Sequence, residues 1–276
     1  MGMRIATNVA AINSQRNLVT NQRNQQSTLA QLASGSRINR SSDDAAGLAI
    51  SENMKAQLRS SVQAQRNAND GISLVQTAEG GLNEVSNIVT RLRELGIQAS
   101  SDTIGDRERG FIDTEVQQLK SEVQRIAQTT SWNTTKLLDG SSSKFDFQIG
   151  TFATENDKIS FDSSRNVATL DALGLSDIDF TTKEGARASL SLLDEGQYMV
   201  NGMRSNIGAL QNRLTSTVET LAVSQENLAA ANSRIRDTDV AAASSDMAKN
   251  NVLLQAGTAT LAQANQSTQL ALKLLG

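Results

Sequence analysis

Few side chains in this sequence are placed to do chemistry. Two acidic clusters, Asp43-Asp44 and Asp237-Thr238-Asp239, have the residue types of a divalent-cation site. Neither has the spaced oxygen ligands of a calcium loop, so both read as acids at positive helix ends. Gly140-Ser141-Ser142-Ser143-Lys144 has the composition of a phosphate loop without its spacing, and neither a dinucleotide fingerprint nor G-x-S-x-G occurs. Histidine and cysteine are both absent. That removes the imidazole base, the thiolate nucleophile, the disulfide and the usual zinc ligands. The expectation is no catalytic residue, no metal, no cofactor and no enzyme.

The elements that would position any site are helical. Hydrophobic residues make up 38% of the 276 and aromatics only 3%, so the apolar load falls on aliphatic side chains that suit thin helical packing. Leu193, Val200, Ile207, Leu214, Leu221, Leu228 and Ile235 recur every seven residues, with Met203, Leu210 and Ala231 between them. That is a coiled-coil stripe roughly 63 Å long at 1.5 Å per residue, and it predicts an elongated molecule. Further upstream, Met54, Leu58, Val62, Val75, Leu82 and Val89 form a second stripe, and Ile112, Val116, Leu119, Val123 and Ile126 a third. The spacing predicts long helices over roughly 44–99, 104–129 and 187–235. Between them, Phe145, Phe147, Ile149, Ile159 and Phe161 alternate with polar residues around the turn-like Thr154-Glu155-Asn156-Asp157, which predicts a β-hairpin. Segment 162–186 reads as a polar surface connection with room for one more strand. The fold class is therefore mainly α: an elongated antiparallel helical coiled-coil bundle with a small β-hairpin.

The two ends follow a different rule. A second heptad series, Val240, Met247, Leu254, Leu261 and Leu275, runs out of phase with the first, and small residues (Ala243, Gly257, Ala264, Ala271) occupy its alternate positions. This places a boundary near Ile235 to Val240. The N-terminal segment carries Ile5, Val9, Ile12, Leu18, Val19, Leu29 and Leu32 around a polar Asn- and Gln-rich run. From Asn250 onward Lys273 is the only charged residue. Solvated tails are normally highly charged, so these ends look built to be covered. Sparse apolar stripes on isolated helices are marginal in water. The expectation is ends that are disordered in a free subunit and helical in an assembly; the alternative is that they pair with each other inside one chain.

Charge and hydropathy exclude other partners. A net charge of -3 and a pI near 5.2 give no electrostatic case for nucleic acid or an anionic membrane. No apolar run is long enough to span a bilayer, and residues 1–18 lack the core of a cleavable secretory signal. Proline is absent where roughly 14 would be expected at average usage. The plain reading is that helix excludes it. A sharper one is that a chain without prolyl isomers or disulfides refolds without slow steps.

Several stretches together resemble the bacterial flagellins. Leu32-Ala33-Ser34-Gly35-Ser36-Arg37-Ile38-Asn39 followed by Asp43-Asp44-Ala45-Ala46-Gly47-Leu48-Ala49-Ile50 is similar to that family's N-terminal signature. So are Arg66-Asn67-Ala68-Asn69-Asp70-Gly71-Ile72-Ser73-Leu74, Gln76-Thr77-Ala78-Glu79-Gly80 and Leu137-Leu138-Asp139-Gly140. The C-terminal half adds Gln211-Asn212-Arg213-Leu214, Ser233-Arg234-Ile235-Arg236-Asp237 and Leu261-Ala262-Gln263-Ala264-Asn265-Gln266. The departures are Thr268 where the family commonly has proline, Trp132 where phenylalanine is usual, and Met3 as a second candidate start.

The resemblance implies a secreted filament subunit of the bacterial flagellum, extracellular or sheathed, that serves motility. Its terminal helices, residues 1–36 and 236–276, would form the inner tube, D0. Residues 37–235 would form the surrounding rod, D1, without the large outer domains. The assembly residues would be Ile5, Val9, Ile12, Leu29, Leu32, Met247, Leu254, Leu261 and Leu275, and the heptad from Leu193 to Ile235 would be the rod core. Gln255, Gln263 and Gln266 would line a central channel. Implied partners are further copies of the chain or other flagellins, the type III export apparatus, an export chaperone on the C-terminal helix, and filament cap and junction proteins. Arg91 and Leu95, with Glu115 on the neighbouring helix, resemble the patch read by the host receptor TLR5, the leucine being expected at the surface. Exposed Ser and Thr in 141–143 and 163–182 are candidates for the O-linked glycan some flagellins carry. The alternatives are a filament-junction relative or a secreted helical adhesin or effector.

Overall fold

The computed structural model describes residues 7–141 and 144–273, with side chains to Gln266 at the C-terminal end. Ile5, Leu275, Ser142 and Ser143 lie outside the described residues. Five helices are described: α1 (Val9–Ser34), α2 (Ala45–Ala99), α3 (Asp106–Thr129), α4 (Lys183–Arg236) and α5 (Val240–Lys273). Between α3 and α4 come β1 (Ser131–Trp132), β2 (Thr135–Lys136), β3 (Lys144–Gln148) and β4 (Lys158–Asp162). The protein is thus mainly α, with small antiparallel hairpins. It forms two compact units: Met1–Ala56 with Asn227–Gly276, and Gln57–Glu226.

In the Gln57–Glu226 unit, three helices surround one aliphatic core. Leu82, Val89 and Leu92 of α2 meet Val116 and Val123 of α3 and Leu193, Val200 and Ile207 of α4. Each such side chain contributes about 1.5–3 kcal/mol when fully buried. Leu193, Val200, Ile207 and Leu214 are buried, whereas Leu221 is half-buried, as are Leu228 and Ile235 in the other unit. The 24-residue α3 is too short to shield the whole length of the 54-residue α4, so the later heptad positions have fewer neighbours.

Two hairpins form rather than one. β3 pairs antiparallel with β4, Phe145 opposite Phe161 and Phe147 opposite Ile159, and the Phe145 and Phe161 rings lie 6.2 Å apart. β1 pairs with β2 across Asn133 and Thr134, both at positive φ. That is the geometry of a two-residue hairpin turn, which Asn tolerates and Thr does not favour.

Segment 162–186 is not the polar surface connection expected, and it contains no further strand beyond the end of β4. Ala168, Leu173, Leu175, Ile178 and Phe180 are all buried, inserted as a plug against the helices. Two glycines admit it. A Cβ on Gly96 would lie 3.1 Å from the Phe180 ring, and one on Gly196 would lie 3.0 Å from Leu175. The acidic clusters close helix ends. Asp44 accepts from Gly47 N–H at 2.8 Å, and Asp239 accepts from the N–H groups of Ala241 and Ala242 at 2.9 and 3.1 Å. Asp43 accepts from the N–H groups of Asn39 and Arg40 in the preceding turn.

Candidate functional site

The unit holding both ends is built on an antiparallel pair, α1 against α5. The Gly35 backbone at φ +69° ends α1, a left-handed position glycine fills without strain. At the same level the chain leaves α4 and enters α5. Arg37 N–H donates to Arg236 C=O at 2.6 Å, and Thr238 N–H donates to Gly35 C=O at 3.0 Å. The two breaks, at 35–37 and 237–239, are therefore stitched together by a short bridge between Ser36 and Asp237. Arg236 also bonds the Glu52 carboxylate, tying the end of α4 to α2.

The seam between α1 and α5 has two unlike sides. From α5 it takes Ala243, Met247, Asn250, Leu254, Gly257, Leu261 and Ala264, all buried or half-buried. Gly257 is small enough for Leu18 of α1 to pack 3.6 Å from where its Cβ would be. From α1 the seam takes Ala11, Ser14, Leu18, Asn21, Gln25, Thr28 and Leu32, likewise buried or half-buried. Polar groups bridge it: Gln25 bonds Asn251, and Asn8 donates to Ala264 C=O at 2.8 Å. Polar residues inside a coiled coil fix register and reduce stability.

The nine candidate assembly residues divide. Leu32, Met247, Leu254 and Leu261 face the seam. Val9, Ile12 and Leu29 are exposed, as are Val19, Val240, Val252 and Leu253. Gln255, Gln263 and Gln266 are exposed on α5. At 100° per residue they fall within about 80° of one another, opposite the seam. Val252, 64% exposed, shares that face.

The expected receptor patch is only partly at the surface. Arg91 is half exposed and bonds Glu94 at 3.0 Å and Glu115 at 3.0 Å; the bond to Glu94, then that to Glu115, raises its guanidinium pKa further. Leu95 is 2% exposed, which corrects the reading of it as a surface anchor. Its position on α2 turns it into the helical core. Sequence reasoning missed the 168–180 plug, whose alternating apolar residues were the available signal, and Arg109, a buried guanidinium between α2 and α3.

Residues 5–143 match the family model for the bacterial flagellin N-terminal helical region, and residues 190–275 that for the bacterial flagellin C-terminal helical region. The chain is 44% identical to a flagellin of Halalkalibacterium halodurans, covering 99% of this chain and all of that one. It is 40% identical to a flagellin of Bacillus subtilis over the same shares. The crystal structure of Bacillus cereus flagellin is similar with a TM-score of 0.50 at 25% identity, covering 56% of this chain and 88% of that one.

Proposed function

The chain belongs to the bacterial flagellin family and is a structural subunit of the flagellar filament, and we propose that it polymerises through its paired terminal helices. The observation that carries this is the apolar surface left uncovered on both: Val9, Ile12, Val19 and Leu29 on α1, Val240, Val252 and Leu253 on α5. The half-buried seam between them is apolar on its α5 side and largely polar on its α1 side, and neighbouring subunits would cover the outer faces. Residues 1–36 and 236–276 are then the inner-tube domain and 37–235 the rod. The polar α1 side of the seam supports ends that order fully only on assembly.

Gln255, Gln263 and Gln266 would face a central channel, where neutral amides let an unfolded chain pass without sticking. The same reading supplies export through the flagellar type III apparatus, an export chaperone on α5, and end contacts with cap and junction proteins. Host TLR5 would read the surface around the Arg91–Glu115 pair. Arg91→Glu should then lower receptor signalling at least severalfold, and unchanged signalling would remove that partner.

The main test is truncation. Purified chain seeded with sheared filaments should elongate into tubes, whereas a chain lacking 240–276 should not, while keeping the helical circular dichroism of the remaining bundle. Elongation by the truncated chain would refute the proposal.

A further inference from the structure

We infer that the second half of α1 and the turn that follows it hold a small anion of the phosphate class, either hydrogen phosphate or a compact phosphate ester that carries a hydroxyl. The two face each other across a cavity of about 220 Å³. That is below the roughly 300–1,000 Å³ of sites for drug-sized ligands, so the occupant is small. Arg23, Gln26 and Ser27 line the cavity from α1, and Arg40, Ser42 and Asp43 line it from the turn. All of them belong to the unit that holds both chain ends.

Charge sets the class of ligand. Residues 1–42 contain Arg4, Arg16, Arg23, Arg37 and Arg40 and no acid. Arg37 is engaged elsewhere, donating to Ile235 C=O at 2.8 Å. Arg23 and Arg40 are exposed and form no ion pair among the described residues. Two guanidinia lining one cavity repel each other unless an anion lies between them. The planar guanidinium fork matches phosphate oxygens in pairs. The Ser27 and Ser42 hydroxyls and the Gln26 amide bond nothing else among the described residues and add further donors. A dianion satisfies this set, whereas a single carboxylate leaves one guanidinium unmatched.

Asp43 narrows the class. One of its oxygens, Oδ2, accepts from the N–H groups of Asn39 and Arg40 at 3.1 and 2.9 Å. Its own N–H donates to Arg40 C=O at 3.0 Å, so the turn fixes Arg40 and the carboxylate together. The other oxygen, Oδ1, has no donor among the described residues. A carboxylate lining an anion site repels an oxyanion that carries no proton and accepts a hydrogen bond from one that does. Sulfate is therefore disfavoured and hydrogen phosphate favoured. Bound there, the ion ties α1 to the turn that leads into α2.

Calorimetric titration of the full chain near neutral pH tests this, with sodium phosphate and sodium sulfate at matched ionic strength. Inorganic phosphate should bind saturably, and severalfold more tightly than sulfate. Arg23→Gln and Arg40→Gln should each weaken it about tenfold or more, the loss of one charged hydrogen bond. Both side chains are exposed, so neither variant should change the helical circular dichroism. Asp43→Asn keeps an acceptor for the turn and presents a donor to the cavity, so sulfate should then bind at least as well as phosphate. Amide exchange along residues 23–34 should slow with phosphate in the unmodified chain and not in Arg23→Gln. A lipid headgroup can supply the same phosphate chemistry. Sedimentation with phosphatidic acid vesicles, lost in Arg23→Gln, would make the lipid the source; phosphate binding without sedimentation would make it a free compound. The inference is overturned by no saturable phosphate binding, by undiminished binding in both arginine variants, or by an unchanged phosphate preference in Asp43→Asn.

Discussion

Among the described residues, Arg109 is the one buried charged side chain, and it locks the turn between α2 and α3. Its guanidinium donates to Ala99 C=O and Ser101 C=O, each at 2.9 Å, and pairs with Asp106 at 2.7 Å. The acceptors include a carbonyl at the end of α2, which lacks a helical partner. Arg109→Met keeps most of the apolar stem and loses all three bonds, so unfolding should become easier by about 2–3 kcal/mol. Arg109→Lys should recover only part, because an ammonium cannot match a planar fork to three diverging oxygens. Urea midpoints of the three proteins measure this, and an unchanged midpoint for Arg109→Met would show the clasp to be idle. Nothing in the sequence singles Arg109 out. It is one of many arginines, and its burial depends on the chain reversing direction just before it.

At the scale of elements, the α1–α5 seam is held below its achievable stability. Replacing both members of a bonded polar pair by apolar groups of similar shape is neutral to stabilising, whereas removing one member is not. Gln25→Leu with Asn251→Leu should therefore raise amide-exchange protection along α1. Gln25→Leu alone should lower it by about 1 kcal/mol. Equal protection in all three proteins would mean the seam is not formed in the free chain. The register of this pair was half legible in the sequence. The heptad of Met247, Leu254 and Leu261 with small Ala243, Gly257 and Ala264 marks one side. The other side is Ala11, Ser14, Asn21, Gln25 and Thr28 with two leucines, which carries almost no hydrophobic period. The exposed Val9, Ile12 and Val19 attract attention instead, and they face away from the seam. The rod helices were more legible, because their stripes are dense enough to fix ends within a few residues: α2 and α3 begin and stop close to the expected bounds. Segment 162–186 was not. Its polar residues outnumber the apolar ones, and burial there depends on gaps at Gly96 and Gly196 in helices far away in sequence.

Taken whole, the chain has a charge inventory with a gap in the middle of the pH scale. It contains no histidine, the side chain that ordinarily titrates between pH 5 and 8. Its perturbed acids include four carboxylates held below their usual range by hydrogen bonds. Asp102 is lowered chiefly by its bond from Lys183, Glu122 by Arg125, Asp162 by the Ser164 hydroxyl and Asp179 by the Thr181 hydroxyl. A carboxylate whose folded pKa is depressed adds stability that is present above its unfolded pKa and lost as pH falls through the folded one. All four lie in the Gln57–Glu226 unit, so denaturation midpoints of that unit should be level from about pH 6 to 9. They should then fall below about pH 5, where unfolded Asp and Glu begin to bind protons. Asp102 and Asp179 are exposed and Glu122 and Asp162 half-buried, so added salt should shrink the acid loss. A step in the midpoint between pH 6 and 7 would contradict this account, since no side chain in the chain has its ordinary pKa there.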